Sequence, residues 1–105
     1  MESDPAKPLS AKEVRKSLRR CIEKGSVIWT RHARSRMDER DLIEPDIVNV
    51  LRCGRVEADP EWVNWHWRFQ VKTDRMIVVV TFEPEEGEPT ELVIVTVWRE
   101  RRRGS

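Results

Sequence analysis

The chain has 105 residues and a formal net charge of +1. That suits one domain with a modest core and rules out a whole-molecule positive field as a reason to bind nucleic acid. Two cysteines cannot build a disulfide scaffold, and neither a signal peptide nor a membrane-spanning apolar run is present, so the expected setting is the cytoplasm with reduced thiols.

Residues 1–9 hold two prolines and small polar side chains and read as a flexible leader. Ser10 followed by Glu13 fits a capping box. Val14, Leu18, Cys21 and Ile22 then recur at helical spacing until Gly25, which predicts a helix over residues 11–24 with Arg15, Lys16, Arg19 and Arg20 on its other face. Val27-Ile28-Trp29 predicts a short strand. Thr30 is placed to cap a second helix over residues 31–41. Pro45, with Ile47, Val48 and Leu51 periodic behind it and Gly54 as the stop, predicts a third.

Beyond residues 55–59, a candidate short strand, the period changes to two. Val63, Trp65, Trp67, Phe69 and Val71 alternate with Asn64, His66, Arg68, Gln70 and Lys72, which predicts one two-faced strand with Trp65 and Trp67 in the core. Residues 76–82 and 90–98 predict two further strands, separated by an acidic Pro/Gly loop and followed by a charged tail over residues 100–105. The expected fold class is α+β: helices on one face of a small, twisted, mainly antiparallel sheet, with residues 10–99 as one domain. Because the last two strands are apolar on both faces, the uncovered face is expected to meet a partner or a second copy as a homodimer.

Polar chemistry concentrates in His32-Ala33-Arg34-Ser35-Arg36-Met37-Asp38-Glu39-Arg40. At about 3.6 residues per turn, His32, Arg36 and Arg40 form one ridge, and Ala33 and Met37 the adjacent core-facing one. Guanidinium groups bind phosphate oxygens and stabilise charge developing in a transition state; histidine moves protons near neutral pH. Those are the parts that metal-free RNA cleavage needs. Arg36 paired to Glu39 or Asp38, with His32 bonded to a carbonyl, is the competing structural reading. His66 and Arg68 on a polar strand face offer either the floor of an RNA groove, with Trp62 as a stacking platform, or a merely solvated face. His32, His66, Cys21 and Cys53 lack metal-ligand spacing, so no metal or other cofactor is expected.

The run from Trp29 to Ile43, with its His-Ala-x-x-Arg-Met-x-x-Arg pattern, then Pro45-Asp46-Ile47-Val48 and Leu51, and finally Ile94-Val95-Thr96-Val97-Trp98-Arg99, resembles a bacterial family of uncharacterised small domains. That family is grouped with the RelE, BrnT and MqsR ribonuclease toxins. The resemblance covers most of residues 27–99 and leaves the first helix (within residues 10–25) outside the shared core. It implies a RelE-like fold and a metal-independent endoribonuclease toxin of a toxin–antitoxin pair, acting on free or ribosome-bound RNA and held by an antitoxin protein. It puts His32, Arg36 and Arg40 at the family's characteristic positions, with Thr96 and Arg99 of the last strand as neighbours; the expected catalytic residues are therefore His32, Arg36 and Arg40, and the expected RNA contacts are Thr96 and Arg99 together with Arg68 and His66 of the polar strand face. The alternative is a non-catalytic module of the same fold that binds nucleic acid or protein.

Overall fold

A computed structural model describes residues 7–85 and 87–99. The tail beyond Arg99 and most of the leader fall outside the described residues; Leu9, at the leader's end, packs against the core. Helix α1 spans Ala11–Glu23 and starts with the expected capping box: Ser10 Oγ accepts from Glu13 N, and Glu13 Oε1 accepts from Ser10 N at 2.9 Å. That backbone hydrogen bond to the Glu13 carboxylate holds its pKa below the usual carboxylate value. Strand β1 is Val27–Trp29, helix α2 is Arg31–Glu39 and helix α3 is Glu44–Cys53. Strands β2 (Arg55–Val56), β3 (Glu61–Val63), β4 (His66–Lys72), β5 (Met76–Glu83) and β6 (Glu91–Arg99) complete the chain.

The fold is α+β, with a sheet ordered β1-β6-β5-β4-β2 and β3 paired with β4. All pairings are antiparallel except β1 with β6, where Trp29 stands opposite Ile94. One layer of helices covers one face. Val14, Leu18 and Cys21 of α1, Ala33 and Met37 of α2, and Ile47, Val50 and Leu51 of α3 share a core with Phe69, Val71, Val78, Val80, Phe82, Leu92, Ile94 and Val97. Burial of these apolar side chains is the main force holding the layers together. The opposite face carries Val79 across from Thr96 and Ile77 across from Trp98, none of which belongs to that core. A bulge at Val95 resets the alternation of β6, since Val79 pairs with Thr96 but Val80 with Ile94. The bulge is why Ile94 and Val97, three apart, both face the helices.

The expected single strand from Val63 to Val71 is instead two strands. Asn64 and Trp65, at φ 50° and 66°, form a two-residue turn between β3 and β4. Two consecutive residues in the left-handed region match the twist that a tight hairpin needs. Trp65 is therefore 81% exposed at the hairpin tip and is not a core residue. Trp67 is half-buried against the core, with the Trp62 ring 5.2 Å away, edge towards face. Alternation alone cannot distinguish a turn of this kind from a continued strand, because the flanking residues keep the same period.

The two cysteines have opposite settings. Cys21 is buried in the core, and burial pushes its thiol pKa up; Cys53 is exposed at the end of α3. Native protein should therefore react with a maleimide at Cys53 alone, with Cys21 modified only after denaturation; mass spectrometry of labelled peptides would read this. Prompt labelling of Cys21 would mean that α1 detaches from the sheet. No described helix is long and apolar enough to cross a membrane.

Candidate functional site

The position of α2 follows from two tethers. Thr30 is the helix cap, its hydroxyl accepting from Ala33 N at 3.0 Å. The same hydroxyl donates to Val95 O at 2.9 Å, and Thr30 N donates to Ile94 O at 3.2 Å. The chain thus leaves β1 and enters α2 at the bulge of β6. At the far end Arg99 Nη1 donates to Arg40 O at 3.2 Å, satisfying a carbonyl at the helix C-terminus, where a cation also complements the helix dipole. Helix α2 consequently takes the place beside the second half of β6 that β1 occupies beside the first half.

This placement brings the expected ridge to the rim of the uncovered sheet face. Arg36 lies over the Trp98 ring, 5.4 Å from guanidinium carbon to ring centroid. A stacked guanidinium keeps its edge N–H groups available, which suits phosphate recognition. Glu39 sits between Arg36 and Arg40, 3.4 Å from a nitrogen of each. It is more than half exposed, so neutralisation of the two cations is shared and weakened by solvent. His32 is exposed and has no hydrogen-bond partner among the described residues. It lies on α2 between the tether at Thr30 and the stack at Arg36.

The other expected contacts divide. Thr96 is buried on the same sheet face, and its hydroxyl has no hydrogen-bond partner among the described residues. A buried unpaired hydroxyl costs about 1–3 kcal/mol and so calls for an explanation. Arg68 is half-buried, belongs to the same face two strands from β6, and has no ionic partner among the described residues. Arg99 is used structurally, on the end of α2. His66 lies at the opposite end of the sheet from Arg99, with Nδ1 3.1 Å from Asn64 O and Nε2 2.7 Å from Glu83 Oε1. The structure therefore joins His32, Arg36 and Arg40 along one rim, sets Thr96 and Arg68 on the face beside it, and leaves His66 apart.

The Asn64 carbonyl, together with the charges of Glu83 and Glu85, raises the pKa of His66 above the ordinary histidine value, against a smaller opposing effect of burial. A raised folded-state pKa stabilises the fold fully below about pH 6.5, and that stabilisation fades as pH rises through the folded value. An NMR titration of the His66 ring should give a midpoint above that of a model peptide. Glu83→Gln should lower it. A His66 midpoint indifferent to Glu83→Gln would contradict the pairing.

Sequence reasoning missed Trp98 as a member of the site and saw only part of the role of Glu39. Trp98 shares the ladder with Ile77 on the uncovered face, so a two-residue period through Thr96 and Trp98 was the available signal. Glu39, three residues after Arg36, was legible as a partner for it, but not as a carboxylate shared with Arg40. Among the described residues no group of three His, Cys, Asp or Glu side chains is placed to hold a metal ion.

No curated protein and no solved structure was found to match the chain. Residues 29–99, which hold the whole rim and the five strands beyond β1, match the family described as Domain of unknown function (DUF4258), and the chain belongs to that family.

Proposed function

We propose that the chain is a metal-independent endoribonuclease of the toxin type, acting on RNA at the rim formed by His32, Arg36 and Arg40 beside the uncovered sheet face. The observation that carries this reading is His32: an exposed imidazole without a partner among the described residues, one helical turn from a guanidinium stacked on Trp98. The resemblance of the His32 to Arg40 segment to RelE-type toxins supplies the reaction class. His32 takes the proton of a ribose 2′-hydroxyl. The 2′ oxygen bonds to phosphorus, the bond to the 5′ oxygen breaks, and the leaving oxygen takes a proton from the imidazolium. Arg36 and Arg40 bear on the phosphate oxygens as charge builds there. The products are a 2′,3′-cyclic phosphate and a 5′-hydroxyl. On this reading the cell is cytoplasmic host to both the toxin and a neutralising antitoxin protein.

A specific observation favours the second reading, a module that binds RNA without cutting it. Both arginines of the rim already share Glu39, and Arg36 is further held by Trp98. The test is incubation of the purified protein with RNA, alone and on ribosomes, in the presence of a chelator. Products with cyclic phosphate ends support the nuclease. Salt-sensitive binding with intact RNA supports the module. Neither result with well-folded protein ends both readings.

A further inference from the structure

Helix α1 lies outside the segment that matches the family and carries the most concentrated run of unpaired cations in the described chain. Lys12, Lys16 and Arg19 are exposed along one side of it, and Arg52 is exposed on the last turn of α3. None of the four side chains has a hydrogen bond or ion pair among the described residues. Elsewhere several cations are engaged, Arg20 with Glu88, Arg34 with Glu44, and Arg55 and Lys72 with Glu57, while Arg31, Arg68 and Arg75 stand singly on separate segments. Between α1 and α3 runs a cavity of about 230 Å³, lined by Arg15, Arg19, Ile22, Glu23, Leu51 and Arg52.

The floor of this groove is fixed. Arg15 reaches from α1 to the end of α3 and donates to Leu51 O at 3.1 Å, Arg52 O at 3.2 Å and Gly54 O. It thereby caps carbonyls that α3 cannot satisfy itself and locks the two helices in register. Arg19 and Arg52 are then presented as a pair from separate helices, with Lys12 and Lys16 continuing the charge along α1. Glu23 is the one carboxylate among the described residues that line the groove, and Glu13 is engaged in the capping box. In a protein whose net charge is only +1, this is a segregated basic face.

We infer that the α1–α3 face is a second phosphate-binding surface for the RNA backbone, so that the substrate class is a long, folded RNA able to reach both this face and the α2 rim. The inference rests on the RNA reading above and extends it. A phosphate backbone needs cations and no apolar anchor. Among the described residues the exposed large apolar ones are Ile28, Ile43, Trp65 and Trp98, none of them on α1. The face therefore lacks the aromatic anchors of a protein hot spot and the apolar wedge of a membrane-surface helix. Helix α1 packs on α3, β6 and β2, whereas the rim is carried by α2 beside β6, so one RNA that meets both must span two separate elements of the fold.

The experiment compares the parent chain with a triple variant, Lys12→Gln, Lys16→Gln and Arg19→Gln, which keeps helix propensity. Binding of a ribosomal RNA fragment and of a short single-stranded oligonucleotide is measured across a salt series, with circular dichroism as a check on folding. The expected result is weaker binding of the fragment, with the slope of log K against log salt reduced by about 2 to 3, as for roughly three lost phosphate contacts. Binding and any cleavage of the short oligonucleotide stay as in the parent. An unchanged slope on the fragment overturns the inference. So does unchanged RNA binding combined with loss of binding to phosphatidylserine vesicles, which would make α1 a membrane face. If the parent cuts nothing but the slope falls as expected, the docking face stands and the nuclease reading alone fails.

Discussion

Replacing His32 by alanine should lower RNA cleavage by about a hundred- to ten-thousand-fold, the range that a positioned general acid–base contributes. The fold should be unaffected, because His32 is exposed and tethers nothing among the described residues. The same variant, expressed to the parent's level in a bacterial host, should relieve growth arrest. Arg36→Lys should fall in between on cleavage, since it keeps the charge but loses the planar stack on Trp98 and the forked geometry. If the His32→Ala protein cuts as fast as the parent, the imidazole is not the proton carrier. If it binds RNA normally and neither protein cuts, the rim is a docking surface.

The second large effect is on stability and turns on Gly54. Its backbone is extended, at φ −74° and ψ 168°, so freedom of φ is not what the position requires. What it requires is the absence of a side chain. A Cβ there would lie 2.6 Å from Val50 O, 2.9 Å from Lys72 O and 2.9 Å from Val71 Cγ1. Two of those atoms are backbone, one at the end of α3 and one on β4, so only a movement of the helix against the strand makes room. That movement also strains the Arg15 hydrogen bonds to the end of α3. Gly54→Ala should therefore destabilise by about 1–3 kcal/mol, the usual penalty of overpacking. For a domain of this size that is a fall in melting temperature of at least several degrees. Denaturant unfolding checks this; an unchanged midpoint would mean that α3 and β4 do not approach so closely.

Much of this architecture was readable locally, and the places where reading stopped share a cause. Ser10 with Glu13 and Thr30 mark helix starts through hydrogen bonds that span three residues, Gly54 marks an end through one that spans four, and Pro45 marks a start through its fixed φ; each was legible because it is local. The run Met76–Glu83 declares a central strand through β-branched composition. The hairpin at Asn64 and Trp65 was not legible, because its turn residues keep the period of the strands beside them and Trp is an unusual occupant of the left-handed region. The His32, Arg36 and Arg40 ridge was readable as a spacing; whether those groups were free or spent was not.

By itself the sequence determined the three helices, the strands at residues 27–29, 76–83 and 91–99, the buried side of each helix and the line of cations on α2, since these depend on helical and strand periods within a few residues. Tertiary structure alone decided that β1 runs parallel to β6, that α2 lies along the edge of β6 and that Arg36 rests on Trp98. It alone spent Arg99 on Arg40 O and Arg15 on the end of α3. These contacts join residues 36 to 65 positions apart, as from Arg15 to Leu51 and from Thr30 to Val95. Such pairings are selected by burial of the whole core and by the need to satisfy buried carbonyls, which no short window of sequence contains.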